Sequence, residues 1–164
     1  MSAHAPARTA PPTASPWLVL LGFLAAVAVA AGLGGVAAAS AGSTYAALDL
    51  PPFAPPSSVF GPVWTVLYVM IAVAGWLTWR VVGWDRSLTV WAVQLVLNAA
   101  WTPLFFGADR YGLALVEIVV LLAAVVATIV LFWTRRRAAA LLMLPYAGWV
   151  AFATALNAAI WHLN

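Results

Sequence analysis

Residues 111–133 read YGLALVEIVVLLAAVVATIVLFW, an apolar stretch with one charged side chain, Glu117. A helix of about 20 residues crosses the roughly 30 Å hydrocarbon core of a bilayer, and this stretch is long enough to do so. It is also too apolar along its whole length to be the half-wetted helix of a soluble protein. The stretch therefore predicts a transmembrane helix and indicates that lipid is the solvent for the fold.

The rest of the chain has the same character. Of its 164 residues, 66% are hydrophobic and 7% are charged, whereas a soluble domain carries roughly a quarter charged residues. Further apolar stretches of spanning length lie at about 17–39, 59–82, 88–106 and 138–163. The predicted fold class is therefore all-α, a polytopic membrane protein whose five transmembrane helices form a bundle in residues 17–164.

Two segments outside the spans differ in composition. Residues 1–16 are rich in Pro, Ala, Ser and Thr without apolar periodicity, which predicts a disordered tail. Residues 40–58 form a long Pro-rich loop with prolines at 51, 52, 55 and 56. Proline fixes φ and has no N–H, so we expect this segment to be stiff, extended and non-helical. A loop of this length is more often functional than idle, and we expect a lid over one mouth of the bundle.

The arginines predict the orientation in the membrane. With five spans, one side holds the N-terminus and carries six of the seven basic residues, whereas the other side has only Arg110. The six are Arg8, Arg80, Arg86, Arg135, Arg136 and Arg137. The positive-inside rule predicts a cytoplasmic N-terminus in a bacterial cytoplasmic membrane. The charges are too scattered to form a phosphate-binding face, and we expect no nucleic-acid partner.

Aromatic and polar side chains recur at helical spacing on three of the predicted spans. One stripe consists of Trp64 and Tyr68 on the second span. The others are Trp91, Gln94, Asn98, Trp101 and Phe105 on the third span, and Tyr146, Trp149, Ala153 and Asn157 on the fifth. Polar groups in hydrocarbon need partners, so these stripes should face the bundle interior. Spacing alone leaves two interpretations open: the amides join helices, or the stripes line a cavity for a flat, largely apolar ligand.

Tryptophan at helix ends has a simpler interpretation. Its ring is at home in the headgroup region of a bilayer, where its N–H stays hydrated. The tryptophans at predicted helix ends are Trp17, Trp79, Trp84, Trp133 and Trp161. We expect these five to anchor the bundle at the two membrane surfaces.

The composition excludes several kinds of catalytic site. The chain has no Cys, and its only His outside the tail is His162, so a metal centre or a Ser–His–acid triad cannot be assembled in the spans. We expect no metal and no covalent or required cofactor. Glu117 is the one carboxylate deep within a span, and two interpretations stay open: a functional group such as a proton relay, or a protonated side chain hydrogen-bonded between helices.

Several motifs together resemble the translocator protein family, also called tryptophan-rich sensory proteins. They are PPFAPP at 51–56 with VFGPVWTVLY at 59–68, QLVLNAAW at 94–101 with FFG at 105–107, and PYAGW at 145–149 with the residues up to 161. They occur in order and with compatible spacing over about residues 17–164. Several long motifs in one chain make the resemblance specific.

The resemblance implies a five-helix bundle, usually a homodimer, with a pocket beneath the first loop. Family members bind protoporphyrin IX, haem, other tetrapyrroles and hydrophobic drug-like molecules there. The implied function is a sensor or regulator, or a transporter, in tetrapyrrole metabolism and stress response. The implied alternative is an enzyme-like, light-dependent oxidative breakdown of protoporphyrin IX. Some family members reside in outer membranes, so the resemblance implies an outer membrane as the alternative location.

Individual residues carry over by motif. The two family tryptophans tied to protoporphyrin breakdown match Trp64 and Trp149, and the polar residue of the family pocket matches Asn98. The pocket also draws on the loop around Phe53, where the family usually has Trp. The sterol motif of animal members needs a Tyr followed by a basic residue, and residues 158–162 lack it, so the resemblance does not support sterol binding.

Overall fold

The computed structural model describes residues 15–37 and 41–164. These residues form six helices and no strand. The helices are α1 (Pro16–Ala37), α2 (Ala41–Ala47), α3 (Phe60–Val82), α4 (Arg86–Thr102), α5 (Tyr111–Arg135) and α6 (Arg137–Leu163). All except the short α2 are long and apolar enough to cross a membrane, which confirms the predicted all-α fold with five spans.

The five long helices pack as a closed ring. Around the ring the order is α1, α3, α6, α5 and α4, and α4 packs against α1 again. The connections between α3, α4, α5 and α6 are short, so consecutive helices run in opposite directions. One end of the ring therefore carries the start of α1, the ends of α3 and α5, and the starts of α4 and α6. We call it the arginine-rich end, after Arg80, Arg86 and residues 135–137.

The half of the ring toward the arginine-rich end is solidly packed. The fully buried side chains of this half include Ile71, Leu88, Phe132 and Met143. α1, α3 and α4 meet there at Gly75, where a Cβ atom would lie 2.8 Å from the Phe23 ring and 2.9 Å from the Trp91 ring. The helices can approach this closely because position 75 has no side chain, and little space is left here for a ligand.

Asp85 begins α4 and joins it to α5. Its carboxylate accepts hydrogen bonds from the backbone N–H and hydroxyl of Ser87, as the side chain of an N-cap residue does. Its other oxygen lies 3.2 Å from a guanidinium nitrogen of Arg135. Burial alone would raise the pKa of Asp85, but the hydrogen bonds from Ser87 and Leu88 and the charge of Arg135 outweigh burial and lower this pKa.

The far end of α4 is not a regular α-helix. From Pro103 to Gly107 the chain winds as a π-helical turn, in which the N–H of Ala108 donates to the carbonyl of Pro103 at 3.0 Å. Proline cannot donate to the preceding turn, and such π turns are frequent at functional sites. The turn positions Phe105 and Phe106 beside Trp101.

The loop between the first two spans differs from the extended, non-helical segment that its prolines predict. Residues Ala41–Ala47 form α2, and Ser57–Val59 form a 3-10 turn. The prediction was wrong for these residues because none of them is proline, and Ala favours a helix. The extended part is confined to the region of the prolines, between the two helical pieces.

Three side-chain contacts tie this loop to the bundle. The Tyr45 ring, whose hydroxyl donates within the loop to the carbonyl of Pro55 at 3.0 Å, packs edge-on against Phe60 of α3. Phe53 packs edge-on against Phe152 of α6. The Asn164 amide exchanges two hydrogen bonds, each of 3.1 Å, with the backbone N–H and carbonyl of Asp49. The loop therefore lies across the end of the ring that is opposite the arginine-rich end.

Two of the sequence predictions fall partly outside the described residues. Most of the predicted tail lies outside the described residues, which include only its Ser15 and Pro16, and Pro16 begins α1. The end of the predicted first span, at 38–39, lies outside them as well.

Of the five predicted interfacial tryptophans, Trp79 is partly buried against the core. The exposed members are Trp17, Trp84, Trp133 and Trp161.

Candidate functional site

A cavity of about 500 Å³ lies between α1, α2, α3 and the end of α4. This volume falls within the usual range for small-molecule sites. Its lining consists of Ala31, Gly34, Gly35, Ala41, Gly42, Tyr45, Ser57, Ser58, Phe60, Gly61, Trp64, Tyr68, Trp101, Thr102 and Phe106. Among the described residues that line the cavity, none is charged. A cavity of this kind suits a molecule with a large apolar face.

Two aromatic walls border the cavity, one on α3 and one on α4. On α3 the Trp64 ring stacks on Tyr68, with centroids 5.2 Å apart, and meets Tyr146 edge-on at 6.2 Å. On α4 the Trp101 ring stacks on Phe105 at 5.0 Å. Each wall ring is therefore held by a second aromatic ring behind it, which keeps its orientation fixed before any ligand arrives.

Hydrogen bonds fix the α4 wall further. The indole N–H of Trp101 donates to Oδ1 of Asn157 on α6, at 3.2 Å. The Nδ2 group of Asn157 donates in turn to the carbonyl of Tyr111, at 2.9 Å. Asn157 thus joins α4, α5 and α6, and it orients Trp101 without reaching the cavity itself.

A buried polar chain supports the α3 wall. The Tyr68 hydroxyl donates to Oδ1 of Asn98 at 2.9 Å, and Nδ2 of Asn98 donates to the Tyr146 hydroxyl at 3.1 Å. That hydroxyl donates to Oε1 of Gln94 at 3.0 Å. The chain links α3, α4 and α6 inside the hydrocarbon region, where water is not available to replace a lost partner.

A second, much smaller cavity of about 20 Å³ lies deeper in the bundle. It is large enough for about one water molecule. Three aromatic residues, Phe60, Trp64 and Trp101, border both cavities, and the rest of the small cavity's lining includes Asn98, Trp149 and Ala153. The indole N–H of Trp149 is buried and has no hydrogen-bond partner among the described residues. Trp149 therefore borders the small cavity but not the large one, and Phe60, which borders both, packs edge-on against it with centroids 5.9 Å apart.

The structure divides the residues predicted from spacing into three groups. Trp64, Tyr68 and Trp101 line the large cavity. Asn98, Trp149 and Ala153 border only the small one. The remaining residues of the stripes support these walls or the core: Gln94, Phe105, Tyr146, Asn157 and Trp91.

Trp91 and Phe53 lie away from both cavities. The indole N–H of Trp91 donates to the carbonyl of Ile71 at 3.1 Å, and its ring packs edge-on against Phe23 in the solid half of the ring. Phe53, suggested by the resemblance, sits in the loop with about half of its surface exposed (51%). Phe53 is in contact with the bundle through Phe152 on α6.

Glu117 lies on α5 and does not line either cavity. Its side chain is partly buried, and neither carboxylate oxygen has a hydrogen-bond partner among the described residues. Within the same residues, no group of three or more His, Cys, Asp or Glu side chains could hold a metal ion.

The lining residues that spacing did not indicate are mostly small. α1 contributes Ala31, Gly34 and Gly35, and a Cβ at position 34 would lie 3.3 Å from Oγ1 of Thr102 on α4. α2 and the 3-10 turn add Tyr45 and two serines. The pair Gly34–Gly35 within the first predicted span could have indicated that another helix approaches closely there. Small residues are too common in this chain for the pair to be distinctive.

This chain is similar in sequence to known proteins over most of its length. Residues 22–162 match the model of the TspO/MBR family. The chain is 36% identical to the translocator protein of Homo sapiens over 157 residues, which cover 92% of this chain and 93% of that protein. It is 35% identical over 148 residues to the tryptophan-rich sensory protein of Cereibacter sphaeroides, covering 90% and 92%. It is 38% identical over 122 residues to the tryptophan-rich protein TspO of Archaeoglobus fulgidus, covering 73% and 79%.

Proposed function

The chain belongs to the TspO/MBR family, and we propose that it binds a tetrapyrrole, protoporphyrin IX or haem, in the cavity between α1 and α4. In this proposal it acts as a membrane sensor or regulator, or as a transporter, in tetrapyrrole metabolism and stress response. The observation that carries the proposal is the cavity itself: about 500 Å³, bordered by the fixed rings of Trp64 and Trp101 and free of charged residues in its lining.

The physical basis for this ligand class is stacking. Aromatic faces favour other flat π systems at centroid separations of about 4.5–7 Å, and such a contact contributes about 0.5–1.5 kcal/mol beyond the burial of area. Ser57, Ser58 and the Tyr45 hydroxyl provide polar atoms on the loop side of the same cavity. They suit the polar edge of a ligand whose ring lies between the helices.

The proposal is tested by titrating the purified protein with protoporphyrin IX and following the absorbance of the porphyrin. We expect saturable binding, and about tenfold weaker binding for Trp64→Leu, because one stacking surface and its buried area are lost. Trp133→Phe is the matched control, since Trp133 is exposed and outside the cavity. Binding that is not saturable, or equal binding by Trp64→Leu and the parent protein, would contradict the proposal.

A second candidate is the light-dependent oxidative breakdown of protoporphyrin IX, with dioxygen as the oxidant. The observation in its favour is that Trp64 borders both cavities, and that Trp149 borders the small one with it. Illumination of the complex in air separates the two candidates. If the porphyrin absorbance decays equally fast with Trp64→Phe, at matched occupancy, an electron exchange with Trp64 is not involved.

Two further expectations belong to this proposal. The arginine asymmetry supports a bacterial cytoplasmic membrane with the N-terminus in the cytoplasm, which cysteine labelling of intact cells and inverted vesicles measures. A homodimer is the expected assembly, and its mass in detergent, after correction for bound detergent, tests it.

If the protein were a proton-coupled exporter that uses Glu117, ligand transport into vesicles would depend on a proton gradient, and Glu117→Gln would abolish that dependence.

A further inference from the structure

An arginine–tryptophan cluster lies at the arginine-rich end of the seam between α1 and α3. The guanidinium carbon of Arg80 lies 4.9 Å from the centroid of the Trp76 ring. The Trp76 ring stacks with Trp17 of α1, at a centroid distance of 6.1 Å and an interplanar angle of 28°. The cluster therefore consists of one cation and two rings contributed by two different helices.

The backbone holds the centre of this cluster in place. The indole N–H of Trp76 donates to the carbonyl of Pro16, the first residue of α1, at 2.8 Å. The Trp76 ring is thus fixed between the two helices, and the guanidinium of Arg80 lies over it within cation–π distance. A stacked guanidinium keeps its N–H donors at its edges, where they can bind a phosphate with two parallel hydrogen bonds.

The cluster has no acidic partner of its own. The whole chain has four acidic residues, Asp49, Asp85, Asp109 and Glu117. Of these, Asp85 alone belongs to the arginine-rich end, and it is occupied by Arg135. The donors of Arg80 therefore have no carboxylate to bind at this end of the bundle.

The neighbouring surface is apolar and exposed. Trp17 is 70% exposed, and Leu18 and Leu21 follow it as exposed side chains on α1. In a membrane, α1 passes from the headgroup region at Trp17 into the hydrocarbon region at Leu21. An anion bound at Arg80 would consequently carry its attached chains down an apolar helix surface.

We propose that Arg80, Trp76 and Trp17 form a binding site for the phosphate of an anionic phospholipid, with the acyl chains lying along α1. The three features on which this depends are the guanidinium held over the Trp76 ring, the absence of a competing carboxylate and the exposed apolar surface below. The related pair of Arg137 and Trp133, 5.8 Å apart, has a longer cation–ring distance. We therefore assign the site to Arg80.

The test is native mass spectrometry of the full chain, released from micelles that contain phosphatidylglycerol and phosphatidylcholine. We expect the parent protein to retain phosphatidylglycerol selectively at a salt concentration that screens long-range attraction. Arg80→Gln should weaken that retention about tenfold, the factor for losing a charge-assisted contact to a phosphate. Arg86→Gln is the matched control, because it removes the same charge at the same end without a stacked ring.

Three results would overturn the proposal. The first is equal retention of phosphatidylglycerol by the parent protein and Arg80→Gln. The second is an equal loss in Arg80→Gln and Arg86→Gln, which would mean that only the total charge matters. The third is displacement of the lipid by excess inorganic phosphate, which would mean that the site binds the free anion. Porphyrin binding, measured on the same variants, should stay unchanged, so this proposal can fail while the proposed function stands.

Discussion

The Tyr146 hydroxyl is the group whose removal tests the buried polar chain most clearly. It accepts from Nδ2 of Asn98 at 3.1 Å and donates to Oε1 of Gln94 at 3.0 Å, and the side chain is fully buried. Tyr146→Phe removes this oxygen and keeps the ring, so packing against Trp64 is preserved. The substitution leaves two buried polar groups without their partner.

The magnitude follows from the number of bonds lost. An interhelical hydrogen bond in a membrane protein contributes about 0.6 kcal/mol on average and up to about 1.7 kcal/mol. Two such bonds at Tyr146 give an expected loss of about 1–3 kcal/mol in the free energy of unfolding. Tyr68→Phe removes one bond, to Asn98, and should lose about half as much.

Unfolding by sodium dodecyl sulfate in mixed micelles, followed by far-ultraviolet circular dichroism, measures these differences. Tyr111→Phe is the control, because the Tyr111 hydroxyl makes an exposed 3.3 Å bond to Asp109 and water can replace it. The expected order of destabilisation is Tyr146→Phe, then Tyr68→Phe, then Tyr111→Phe. If Tyr146→Phe costs no more than Tyr111→Phe, the chain of hydrogen bonds does not brace the cavity wall.

Two further predictions concern the packed half of the ring. Gly75→Ala should destabilise the bundle by about 1–3 kcal/mol through overpacking, since its Cβ would lie within 3 Å of two aromatic rings. Gly22→Ala should not destabilise it, since nothing lies within 4 Å of a Cβ at that position. Thermal unfolding of both variants measures the difference, and equal midpoints would contradict the prediction. Because the pKa of Asp85 is lowered in the folded protein, its contribution to stability is present above the ordinary aspartate pKa and is lost as the pH falls through the lowered value. Asp85→Asn, in which Asn still caps the helix, should weaken this acid dependence and cost at most about 1 kcal/mol at pH 7; an unchanged pH profile would show that Asp85 carries no such linkage.

The sequence predicts the spans well because lipid imposes a simple requirement on them. A segment that crosses hydrocarbon must be apolar over its full length, and residues 111–133 meet this condition independently of any neighbour. The closed ring order could not be predicted, because it depends on which faces meet. The contact of α1 with both α3 and α4 rests on Gly75 and Gly34, and small residues give no periodic signal.

The sequence predicts which helix faces point into the bundle, and the structure shows which residues on those faces line a cavity. Trp91 and Trp101 belong to the same stripe of α4, yet Trp101 borders the cavity and Trp91 is packed against Phe23. Helical spacing identifies the face that a residue occupies, but it does not tell whether a ligand or a neighbouring helix lies opposite that face. The prediction for the loop was wrong at α2 because it rested on the prolines at 51–56, whereas residues 41–47 contain none.

The location of a bound porphyrin decides whether the cavity between α1 and α4 is the ligand site. The measurement is an experimental structure of the protein in complex with protoporphyrin IX, in which the position of the ring is determined. We predict a ring within the cavity between α1, α2, α3 and α4, in contact with Trp64 and Trp101. A ring bound on the lipid-facing surface, or between α5 and α6, would contradict it.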